Sequence, residues 1–107
     1  AQVLTPAHSP SARSWDYLKL SLSGNSAAYV YVLRDSNGCP PNGRLPLWLK
    51  AGFDQVPGLQ ASTDDPSMPP FMIFRSKGPL EGIVRLGANM AFPSQGAHYD
   101  YTVILQP

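Results

Sequence analysis

Residues able to do chemistry are few in this 107-residue chain, and they lie far apart. The two histidines, His8 and His98, are separated by most of the sequence, whereas a zinc or copper centre needs about three or four ligands at close quarters. The single cysteine, Cys39, excludes an internal disulfide and any Cys-cluster zinc site. As a nucleophile its thiol would need a neighbouring base and a lowered pKa. Arg34 and Arg44 flank its loop but no histidine is local, which leaves a free thiol or a disulfide between chains. Asp35-Ser36-Asn37-Gly38 opens like a calcium loop, yet no Glu closes it at the required spacing, and an Asx-type turn is the simpler reading. Glu81, the one Glu, and Asp100 lie on separate late strands, and a carboxylate pair for hydrolysis also needs a cleft. No serine sits in a G-x-S-x-G context, and no Gly-rich phosphate loop occurs. No acid, base and nucleophile can be assembled into a set, so the expectation is a protein that is not an enzyme, with no catalytic residues, metal or cofactor.

The aromatic residues form the more informative constellation. Tyr29, Tyr31, Tyr99 and Tyr101 occupy alternating positions in two segments with strand periodicity. On neighbouring strands they would form two cross-strand ring pairs, either covering a core face or exposing a platform for a sugar or a protein. Trp48 is the candidate surface anchor, because Leu45, Leu47 and Leu49 already supply an inward face.

The elements that would position these residues are short strands. Residues 17–23 alternate Leu18, Leu20 and Leu22 with polar neighbours, and 27–34 carry apolar side chains at both parities, as a central strand does. Gly24-Asn25-Ser26 between them reads as a hairpin turn. LPLWLK, 45–50, reads as an edge strand because Pro46 cannot donate to a ladder; a helical turn after Pro46 is the competing reading. Residues 51–70 read as a long loop, 71–76 and 82–86 as strands, and 98–105 as the last strand. Between the latter two, Met90 and Phe92 are expected to plug into the core from a loop. The prolines around residues 40, 57 and 70 are candidates for cis bonds. About six or seven strands spaced by Pro/Gly-rich turns, and little room for a helix, predict a mainly β fold: a single-domain antiparallel β-sandwich or small barrel over 15–107.

Residues 1–14 are rich in Ser, Ala and Pro and read as an extended N-terminal arm. Within it Gln2, Val3, Leu4 and Thr5 form a short strand candidate able to pair with an open sheet edge. A formal net charge of +1 argues against nucleic-acid binding through phosphate neutralisation. No apolar run approaches the length of about 18 residues that crosses a membrane as a helix. Low charge (14% of residues), 12 Pro and 9 Gly, and an Ala-Gln start suited to signal cleavage suggest a secreted or surface-exposed protein. In general look the chain resembles extracellular sandwich modules such as pilin-type subunits and capsid decoration proteins, a likeness of composition that carries no residue across. The expected function is a structural module assembling with itself or another protein subunit through the arm and a sheet edge. The alternative is a carbohydrate- or ligand-binding module using Trp48 and an exposed Tyr face.

Overall fold

A computed structural model of the chain describes residues 2–4, 18–22 and 27–106. They form strands β1 (Gln2–Leu4), β2 (Leu18–Ser21), β3 (Tyr29–Asp35), β4 (Phe53–Ala61), β5 (Phe71–Ser76), β6 (Ile83–Leu86) and β7 (Thr102–Gln106), with a short helix α1 (Leu47–Gly52) between β3 and β4. The architecture is mainly β, with two antiparallel sheets packed as a small β-sandwich. The larger sheet has the order β1-β7-β3-β5-β4, and the smaller pairs β2 with β6.

Alternation explains which face is buried. β3 lies at the centre of the large sheet, as two apolar parities require. Its Val30 and Val32 face the core with Phe74 of β5 and with Val103 and Leu105 of β7. The small sheet closes over them with Leu20, Val84 and Leu86. Its register places Leu18 opposite Leu86 and Leu20 opposite Val84, so these four side chains share one face, while Lys19, Arg85 and the apolar Ile83 lie on the exposed one.

Four sequence expectations are corrected. β2 and β3 do not form a hairpin: β2 pairs with β6 in the other sheet, because burying the Leu18/Leu20 stripe requires a layer opposite β3. LPLWLK is a helix start rather than an edge strand. Pro46 holds the N-cap position at φ −65° and its carbonyl accepts from Leu49 and Lys50, while Leu47 N–H finds the Phe92 carbonyl. Leu49 is thereby buried and Leu47 exposed, which breaks the period-two face. Residues 53–61 of the supposed loop are strand β4. It was obscured by Val56-Pro57-Gly58-Leu59, which bulges out opposite the single residue Ile73 where the register shifts between Gln55 and Gln60. Gly58 takes φ +72° there, and on an edge strand Pro57 costs little. The last strand begins at Thr102, not at residue 98. Its expected first turn is captured instead by side chains: the Asp35 carboxylate accepts from His98 and Tyr99 N–H, and the Asn89 amide donates to the Tyr99 carbonyl. Cis bonds occur at Pro40-Pro41 and at Phe92-Pro93.

Candidate functional site

Three features could carry function: a buried arginine hub, a hollowed outer sheet face, and an exposed phenylalanine on a loop that the hub ties down.

Arg34 shares parity with Val30 and Val32, so the strand carries its guanidinium inward, and it is only 1% exposed. All five N–H donors are used, on neutral acceptors. Nε donates to the Gly38 carbonyl, Nη1 to the carbonyl and Oδ1 of Asn89, and Nη2 to the Arg44 carbonyl and Ser94 Oγ, at 2.6–3.0 Å. Burial lowers its pKa, opposed by Cys39 and Asp35. Neighbouring Asp35 accepts from Asn37, His98 and Tyr99 N–H. The Asp35–Gly38 stretch is thus an Asx-type turn with its carboxylate committed to backbone N–H groups. Together the two side chains stitch segments 35–44 and 88–99 to the end of β3. The sequence signal was the inward parity of residue 34, which an apolar-only pattern search passes over.

The outer face of the large sheet is largely apolar. Tyr31, Leu33, Ile73 and Ile104 line a trough of about 270 Å³, over which the bulge sends Leu59. Beyond Leu33 it continues into a second hollow of about 350 Å³, lined chiefly by Met68, Phe71, Tyr99 and Thr102, with Asp100 among its walls. Tyr29 lies under the Arg75 guanidinium at 5.3 Å, and Tyr31 Oη donates to Gln106.

The structure separates the four tyrosines. β3 and β7 are neighbours, but Tyr29 faces Gln106 and Tyr31 faces Ile104, so no Tyr–Tyr stack forms. Tyr101 is 1% exposed, donates from Oη to the Gly87 carbonyl, and is corrected from binding residue to core. Tyr99, 38% exposed, turns outward against Phe71 at 6.5 Å. They diverge because residues 98–101 are not strand. Trp48 is half-buried and packs its ring against the core. Its Nε1 donates to the Ala88 carbonyl and its ring packs on Phe53 at 6.0 Å and Tyr101 at 5.3 Å. The reason is that α1 replaces the strand whose outward parity Trp48 was to occupy.

Cys39 is 3% exposed, with Sγ 3.6 Å from the Asp35 carbonyl. A bridge between chains needs Cα atoms about 5.5–6 Å apart, which its buried position denies to another molecule. The candidate interchain disulfide is therefore corrected to a buried thiol. Gln2, Val3 and Leu4 form β1, paired antiparallel with β7 of the same chain (Gln2↔Leu105, Val3↔Ile104, Leu4↔Val103). Thr5, His8 and the rest of the arm through residue 14 lie outside the described residues. Among the described residues no three His, Cys, Asp or Glu gather, and no helix is long and apolar enough to cross a membrane.

Phe92 was expected in the core and stands 75% exposed instead, beside Arg44 at a surface pocket of about 470 Å³. Its backbone explains this: the Phe92 carbonyl caps the Leu47 N–H at the start of α1, and Ala91 and Ser94 close a turn around it. No protein-family model, curated protein or solved structure matches the chain.

Proposed function

We propose that this chain is a non-catalytic assembly module, secreted or surface-exposed, in which β1 of one copy completes the β7 edge of another. The observation that supports this reading is the β1–β7 pairing itself. It is an edge pairing of three residues, and the next strand among the described residues, β2, belongs to the opposite sheet and starts at Leu18. A three-residue ladder is short, with each hydrogen bond worth about 0.5–1.5 kcal/mol net. Residues 5–17 separate β1 from β2, and a chain of that length can span at most about 45 Å, beyond the 40 Å long axis of the molecule. The same ladder can therefore form within one chain or between two, as in strand exchange.

Mass action sets what such an exchange requires. A short tether gives the intramolecular pairing an effective concentration on the order of 1 mM. Assembly at about 1 μM must overcome that roughly thousandfold advantage, about 4 kcal/mol, through a further contact between copies. Light scattering over a concentration series, on the full chain and on a chain lacking residues 1–14, tests the reading. The full chain is expected to gain mass with concentration and the truncated one to remain a monomer, with no effect of reductant because Cys39 is buried. Mass that is unchanged by the truncation would refute exchange through the arm.

A further inference from the structure

We infer that the further contact is a knob-in-hole interface between copies, in which Phe92 of one molecule enters the Leu33/Met68/Phe71/Tyr99/Thr102 hollow of the next. The inference rests on the assembly reading above and supplies the second surface that reading requires.

A lone exposed apolar side chain is ordinary on a protein surface. Phe92 differs in how it is held. Its carbonyl is bonded to Leu47 N–H at 3.1 Å, Ser94 N–H closes on the Ala91 carbonyl at 2.8 Å, and Arg44 and Gln95 exchange both backbone bonds at 3.0 Å. Arg34 clamps Ser94 Oγ from below. The ring is thus presented to solvent by an anchored backbone, the arrangement that makes an aromatic effective as an interface anchor at low entropic cost.

The hollow fits such a ring. Its volume of about 350 Å³ exceeds the roughly 150 Å³ of an apolar cavity that takes up benzene. Its walls are mostly carbon, from Leu33, Met68, Phe71 and Tyr99. The two surfaces share no residue, and Phe92 does not line the hollow of its own chain.

Charge selects a second copy as the occupant. Arg44 is exposed beside Phe92. The hollow is rimmed by the loop through Thr63, whose next residues, Asp64 and Asp65, are exposed, and Asp100 lies in its wall. The hydroxyl and N–H of Ser67 donate to the Asp65 carboxylate and hold it below the usual carboxylate range. A positive knob and a negative-rimmed hole that share no residue of one chain make a head-to-tail contact. Such a contact is heterologous and builds rings or filaments rather than closed twofold dimers.

The test is sedimentation velocity on full-length chains across a concentration series. Phe92→Ser empties the knob and Thr102→Phe fills the hole; each is expected to raise the association midpoint tenfold or more, with an unchanged circular dichroism spectrum. Arg44→Glu is expected to weaken association similarly, and Arg44→Glu combined with Asp64→Lys to restore it. Association that survives Phe92→Ser but is lost in Val3→Pro, which puts a proline in β1, would overturn the knob and leave strand exchange standing. Loss in Phe92→Ser with no effect of Val3→Pro would support the knob and remove strand exchange. A full chain monomeric at every concentration would overturn both. So would a glycan that binds the hollow and perturbs Tyr99 in a chain that stays monomeric.

Discussion

At the scale of single residues, the chemically richest side chains are spent on structure. Arg34 is fully hydrogen-bonded to neutral groups, so it has no N–H left for a ligand. A buried guanidinium satisfied in this way organises loops rather than catalyses. Cys39 follows from it. Burial pushes the thiol up to about 11 even though Arg34 pulls the other way. Because the folded pKa lies above the unfolded value near 9, the native state keeps a proton that the unfolded chain has lost. The linked stability is complete below pH 9 and disappears as pH rises from 9 to 11. Unfolding in guanidinium should therefore become easier across that window by about 2 kcal/mol, and Cys39→Ala should remove that part of the slope. A thiol reagent at pH 8 should label Cys39 only after unfolding. Rapid labelling of the native chain, or an identical slope in Cys39→Ala, would mean that the thiol is open to water.

At the scale of elements, legibility in the sequence followed the hydrogen-bond partners. Strands whose partners are other strands announced themselves by period two: β2, β3, β5 and β6 lie where alternation placed them, and β3 is central because both its parities are apolar. Elements whose partners are side chains or distant loops did not. Residues 98–101 alternate like a strand, but Asp35 and Asn89 take their backbone groups. β4 was hidden by its own bulge, and α1 by leucines at every second position. Of the candidate site, the Tyr29/Tyr31 face was legible, whereas Arg34 and Phe92 depend on contacts between segments 45 or more positions apart. Gly87 lies against the Trp48 indole, so that any side chain at 87 would overlap the ring. Gly87→Ala should cost about 1–3 kcal/mol through overpacking, and Trp48→Ala about 3–5 kcal/mol through the lost core contacts. Both costs should appear as shifts in the urea midpoint. A Trp48→Ala chain of native stability would restore Trp48 as a surface residue.

At the scale of the whole molecule, the proposed assembly has to contend with the asymmetry of the sandwich. The small sheet has two strands and covers the inner face of a five-stranded sheet, and among the described residues no second layer covers the outer face of the large sheet. The edges are unequal. β4 carries the Pro57-Gly58 bulge, a device that blocks strand addition. Among the described residues the other edge is β1, and displacing it would bare β7, a regular five-residue strand. Under the proposed exchange, strand addition would proceed along the β7 edge and not along β4, which would make it directional. Because the named core residues all lie between Leu18 and Leu105, the sandwich should survive removal of the arm with its β7 edge open. A synthetic peptide of residues 1–14 should then bind the chain lacking them and stabilise it by mass action, about 2.7 kcal/mol at a hundredfold excess over its dissociation constant. The melting temperature of the truncated chain should rise with peptide concentration, and not with a peptide carrying Val3→Pro. A melting temperature indifferent to the peptide at millimolar concentration would mean that the β7 edge does not accept a separate strand. Assembly would then have to proceed through the outer face and Phe92 alone.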